Sequence, residues 1–222
     1  MNVRPPQPNL SPQPDWAECM EQVVLDAALA RAGQLGWNAR LLREAGASAG
    51  LGRGDLELLF PNGARDLAAL LSRRHDARAL QSLSELDADS LKIRERISRS
   101  VLARLEAAGE DLDASRRCAG FLALPGNADL GLSLAWETAD QLWCWSGDKA
   151  TDWNHYSKRT ILVGILIPGL TLRLFDGRQA SDAFVADRIA NVMAFETWKA
   201  GKDFEGPLKR FTAALAGLRY RA

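Results

Sequence analysis

With 222 residues, 47% of them hydrophobic, the chain can bury a sizeable core as one domain or two small ones. Its 28 basic side chains equal its 28 acidic ones, a balance that argues against a dedicated nucleic-acid binder, which carries a basic excess. Cys19, Cys118 and Cys144 are scattered, which excludes a disulfide framework or a zinc spacing and fits a reducing compartment. The longest uncharged run, Thr160 to Leu172, is thirteen residues, short of the roughly 20 that a spanning helix needs.

Residues 1–14 read as a disordered, Pro-rich leader and not as an amphipathic transit peptide. From there the signal is helical throughout, with Ala, Leu, Glu and Arg runs punctuated by Gly, Asn and Asp. The expected fold class is all-α. A first helix is predicted over 15–32, ending at Gly33. A Gly-rich stretch over 46–54 precedes Asp55, and Pro61-Asn62-Gly63 is a turn. Helix resumes over 64–75, and a boundary between a small N-terminal bundle (15–78) and a larger C-terminal one (79–202) is expected across 73–84. A helix over 90–108 turns Leu91, Ile97, Val101, Leu102 and Leu105 partly inward. Leu124-Pro125-Gly126-Asn127 is a break, and the next helix spans 128–146 with Gly147 as its C-cap. Thr151 or Asp152 caps a helix beginning at Trp153, which is expected to end or kink near Pro168. A helix from Ser181 or Asp182 to about Lys199 follows.

In the N-terminal part, Ala27-Ala28, Gly36-Trp37 and Leu41 to Gly46 suggest two helices that cross closely at Ala45-Gly46, with Gly46 leaving the helix. The arrangement resembles the DNA-binding domain of TetR-type repressors, whose second helix enters the major groove. The chemistry does not support that role. Arg40, Arg43 and Arg53 are cancelled by Glu44, Asp55 and Glu57, and the recognition turn, 48–55, is rich in glycine and poor in donors.

The segment 130–145 carries two apolar faces. Leu132, Trp136, Ala139 and Trp143 form one stripe, and Leu130, Leu134 and Trp145 lie nearly opposite. Asp140 and Trp143, three apart, are surface neighbours suited to anchor a partner, or else a core tryptophan with a rim charge. Asp148, Asp152 and His155 read as turn, cap and interhelical residues before they read as metal ligands. His75 and His155 sit in no ExxH or HxxxH pattern, so neither a metal nor a cofactor is called for. No serine elbow, phosphate loop or nucleophile–base pair is present, and no catalytic residue is nominated. The following helix, with Ile161, Leu162, Val163, Ile165, Leu166 and Ile167, is apolar nearly all round. It serves equally as a central core helix or as the wall of an apolar cavity.

After Gly206 and Pro207, Leu208, Phe211, Leu215 and Leu218 share one helical face, while Lys209, Arg210, Arg219 and Arg221 add positive charge. This basic amphipathic stretch, 203–222, is a candidate for reversible membrane contact, or for packing on its own domain or a second subunit.

Taken together, Ala139-Asp140-Gln141-Leu142-Trp143, then Ser146 to Arg159 (SGDKATDWNHYSKR) and Asp187-Arg188-Ile189, resemble the ubiquinone (coenzyme Q) biosynthesis accessory lipid-binding proteins. The resemblance extends over about Trp16 to Ala222, more loosely over 16–71. It implies a TetR-like fold, a homodimer, and an isoprenoid quinone or other lipid bound in the C-terminal domain. It implies no catalysis and no cofactor. The protein would present quinone intermediates from the membrane to a quinone-ring hydroxylase of ubiquinone biosynthesis. It further implies that Asp140 and Trp143 bind that partner and that Leu208, Lys209, Arg210, Phe211, Leu215 and Leu218 contact the membrane. The lipid-lining choices, Leu134, Trp136, Leu162, Ile165 and Leu166, rest on helical geometry and apolarity. With no mitochondrial leader read in the sequence, the expectation is a bacterial cytoplasmic protein peripheral to the inner membrane. Two rival readings are a TetR-type transcriptional regulator with an apolar effector pocket and a helical scaffold with a solid core.

Overall fold

The computed structural model describes residues 16–147 and 153–200; the side chains of 153–154 and 192–200 lie outside the description, as do residues 1–15, 148–152 and 201–222. Among the described residues there are nine α-helices, one short 3-10 turn (Ala88–Ser90) and no strand, so the fold is all-α as expected. The caps at Thr151 or Asp152, and the amphipathic stretch with Leu208, Lys209, Arg210, Phe211, Leu215 and Leu218, lie outside the described residues.

α1 (Trp16–Leu35) does not stop at Gly33 as the sequence suggested. A glycine inside a helix costs about 1 kcal/mol relative to alanine but does not end it. The helix ends where the backbone turns left-handed, at Gly36 with φ +72°. Asn38 then caps α2 (Ala39–Ser48), its Oδ1 accepting from the backbone N–H of Arg40 at 2.9 Å and of Leu41 at 3.1 Å. Gly46 does not leave the helix either. It is buried inside α2, where a Cβ would lie 2.4 Å from Leu56 Cδ1, so glycine is needed for the close approach of α3 (Arg53–Leu59). The turn itself falls at Gly50, with φ +74°. These helices, with the first half of α4 (Ala64–Leu83), close over a first core that includes Leu25, Leu41, Leu56, Phe60, Leu67 and Leu71. Trp37 joins it and donates its Nε1–H to the Ala64 carbonyl at 3.0 Å.

α4 continues unbroken to Leu83, eight residues past the expected end. Its charges over 73–78 resemble a linker in sequence but act as ties to other helices. Arg74 binds Gln22 and Asp26 on α1, Arg73 reaches Glu137 at 3.2 Å, and Arg78 reaches Asp111 at 2.6 Å. α5 (Ile93–Glu110) follows. α6 (Leu112–Leu122), where the sequence reading placed nothing, inserts Ala114 and Cys118 into the first core.

α7 (Ala128–Trp145) has Ser146 as its C-cap, one residue before the expected Gly147, which follows in the left-handed conformation with φ +88°. α8 (Trp153–Phe175) and α9 (Arg178–Ala200) complete a second core with α5 and α7, through Val101, Leu105, Ala139, Leu142, Leu162 and Val185 among others. α8 does not end at Pro168 but runs seven residues beyond it. Proline removes the hydrogen bond to the carbonyl of Gly164, and both residues are exposed, so water can take the freed carbonyl. Nor is α8 a central helix. Leu162, Ile165 and Leu166 are buried, while Ile161, Ile167, Thr171 and Phe175 face outward. No helix among the described residues is long and apolar enough to cross a membrane.

Candidate functional site

The seam between the two cores holds an open cavity of about 320 Å³, lined by α5, α6, α7 and α8 with Ser72 of α4. Its origin lies in residue size. Ala128, Gly131 and Ala135 fall on one face of α7 at helical spacing and line the cavity with Ala119 and Leu122 of α6, where larger side chains would reduce its volume. Leu105, Leu134, Leu166 and Leu174 form a buried apolar lining. Leu132, 58% exposed, and Ile167, 41% exposed, stand at the outer edge with Thr171.

The inner end of the cavity is polar. Arg104 of α5, only 6% exposed, directs its Nε–H to Asp76 Oδ1 of α4 at 2.5 Å. Thr138 of α7 donates its hydroxyl to the same oxygen at 2.9 Å. Arg104 Nη2 donates to Ser72 Oγ at 3.2 Å. Three helices are thus tied by one buried ion pair, which is costly to break because either charge alone would be left desolvated. Arg104 Nη1 is buried and finds no acceptor among the described residues. Such an unmet N–H ordinarily costs about 1–3 kcal/mol. Ser72, Arg104 and Thr138 line the cavity; Asp76 stands behind them.

Of the residues chosen from sequence as lipid-lining, Leu134 and Leu166 are on the cavity wall. Leu162 and Ile165 pack in the second core and do not line the cavity. Trp136 is half-buried, its ring 6.2 Å from that of Tyr156. The sequence reading missed Arg104, Thr138, Leu170 and Leu174. The small-residue spacing 128–131–135 was the available signal for the hollow, and no signal marked the arginine.

Asp140 and Trp143 lie on another part of α7, facing α8. Asp140 accepts from Nε of the buried Arg159 at 2.5 Å and keeps its side chain 43% exposed. Trp143 donates its indole N–H to the Lys158 carbonyl at 3.1 Å, with Lys158 Nζ 5.2 Å from the ring centroid. Both residues therefore help hold α7 to α8 while showing part of their surface.

Elsewhere, His75 is buried with its Nε2 at 3.1 Å from Asp111 Oδ2. Burial pushes its pKa below the ordinary 6.5, against the hydrogen bond to Asp111; nearby Arg104 and Arg78 also lower it. The same hydrogen bond from His75 holds the Asp111 carboxyl below its usual range. Burial drives the Cys118 thiol up to about 12, so it stays protonated. Among the described residues no three His, Cys, Asp or Glu side chains group as a metal site; Asp148 and Asp152 lie outside them.

A family model, COQ9, matches residues 128–196. Over these residues the chain is similar to the COQ9 family. The match begins at the first residue of α7 and takes in α8 and most of α9, so the COQ9 region supplies the α7 and α8 walls of the cavity. Ser72, Arg104 and Ala119 come from outside it. The chain is 27% identical over 154 residues to the mitochondrial ubiquinone biosynthesis protein COQ9 of Rattus norvegicus, covering 67% of this chain and 49% of that protein. With the protein of the same name from Homo sapiens it shares 26% over 154 residues, 67% and 48% of the two chains. With that of Xenopus tropicalis it shares 28% over 195 residues, 81% and 60%. The chain spans about half the length of the first of these relatives.

Proposed function

We propose that the protein is a non-catalytic lipid-binding accessory protein of ubiquinone biosynthesis, which takes an isoprenoid quinone intermediate from a membrane and presents it to a ring hydroxylase. The observation that carries this reading is the apolar cavity walled by α7 and α8 of the COQ9 region. Burial of an apolar chain there is favourable by about 0.8 kcal/mol per CH₂. At about 320 Å³ the cavity lies at the small end of ligand sites. It admits a ring and the first part of a tail, and a longer tail continues over Leu132 and Ile167.

In this account residues 203–222, through Leu208, Lys209, Arg210, Phe211, Leu215 and Leu218, touch the bilayer. Asp140 and Trp143 dock the hydroxylase, and the protein works as a homodimer at the membrane surface. The test is native mass spectrometry of the purified chain, followed by lipid extraction. The reading predicts a stoichiometric isoprenoid lipid, or uptake of a ubiquinone analogue from vesicles. A protein that carries none and takes up none contradicts it.

A further inference from the structure

Resting on the reading of the cavity as a ligand site, we propose that its inner end selects a neutral oxygen acceptor and that the ligand enters ring first. Three observations define what this end can recognise. Arg104, more than nine-tenths buried, lines the cavity, and no described residue accepts from its Nη1. Ser72 Oγ accepts from Arg104 Nη2, which leaves its own proton to donate. Thr138 has already given its proton to Asp76. The polar end is therefore rich in donors.

Charge then decides between acceptors. A carboxylate or phosphate would also take these donors, but Asp76 already neutralises Arg104 at 2.5 Å. A second anion buried beside that pair would have no counter-charge and would be desolvated among Leu105, Leu134, Leu166 and Leu174. A carbonyl or ether oxygen on a ring meets the same donors without that penalty. Ser72 and Arg104 are thus the residues that separate an oxygenated ring lipid from a fatty acid or a phospholipid. They also set its orientation: ring inward, tail toward Leu132 and Ile167 at the outer edge.

Dissociation constants of the full chain for three probes test this: a decyl-tailed ubiquinone analogue, dodecylbenzene and dodecanoate at neutral pH. Ser72→Ala leaves the ion pair in place and should weaken the quinone about fivefold, the worth of one neutral hydrogen bond, with dodecylbenzene unchanged. Arg104→Lys keeps a positive charge beside Asp76 but loses the fork, and should weaken the quinone about tenfold by the same comparison. Circular dichroism of each variant checks that it has folded. Dodecanoate should bind more weakly than the quinone by at least about tenfold. Equal losses for quinone and dodecylbenzene, no loss for either, or dodecanoate bound as tightly as quinone overturns the acceptor proposal and leaves the cavity as a ligand site. If neither quinone nor dodecylbenzene binds the wild-type chain, the cavity reading itself falls, and this proposal with it.

Discussion

The Arg104–Asp76 ion pair ties α4 to α5, and in the proposed reading Arg104 also faces the ligand. Replacing Asp76 by Asn removes the charge that balances Arg104, and should cost about 3–5 kcal/mol of unfolding free energy in a urea titration. Gly46→Ala tests a different constraint. The added methyl would meet Leu56 at under 3 Å, so the variant should lose about 1–3 kcal/mol although alanine is the better helix former. His75 sets a pH dependence. Its folded pKa is below the 6.5 of an unfolded chain, so its contribution is complete above 6.5 and is lost as pH falls from there through the folded value. Asp111, whose carboxyl is also depressed, adds a second loss at lower pH, below 3.8. Unfolding free energy should therefore decline as pH drops below 6.5, and His75→Gln should flatten that decline. A variant with an unchanged slope would remove His75 from the explanation.

The helices show which signals a sequence carries plainly. Gly147 after α7 and the turn at Pro61-Asn62-Gly63 were readable because a cap and a turn are local events. The ends of α1, α2 and α4 were not. Gly33 and Gly46 look like stops, yet each remains helical because a neighbouring helix packs on it: α6 through Asp113 and α3 through Leu56. The charged run 73–78 looks like a linker because the partners of Arg73, Arg74 and Asp76 lie between 28 and 64 residues away in the chain. On the N-terminal helices Arg40 pairs with Glu44 at 2.7 Å and Arg53 with Glu57 at 2.8 Å, each within its own helix, and Asp55 accepts from the Gly52 N–H at 2.9 Å. α8 offers the clearest test at this level. Pro168→Ala restores the hydrogen bond to Gly164 at an exposed position, and should raise stability by about 1–2 kcal/mol, read as a higher urea midpoint.

In the molecule as a whole, two apolar cores meet along α4, α5 and α6, and the cavity proposed as a ligand site opens at their junction. The all-α class and the positions of α7 and α8 could be read from periodicity, since they depend on each helix separately. The cavity could not. A filled core and a hollow one call for the same apolar residues, and the cavity depends on how residues of five helices, Ala128, Gly131 and Ala135 among them, are set against one another. The polar inner end was hidden for the same reason, because Ser72, Arg104 and Thr138 come from three helices. The most direct test of the carrier account fills this space from within. Ala135→Trp projects a large side chain from α7 at the cavity wall, and extraction of a ubiquinone analogue from vesicles is compared with that by the wild-type chain. The account predicts that wild type extracts the quinone and that the variant, with unchanged helicity, loses at least about tenfold in affinity, or more than about 1.4 kcal/mol. Equal extraction by both would place the lipid outside this cavity and contradict the account.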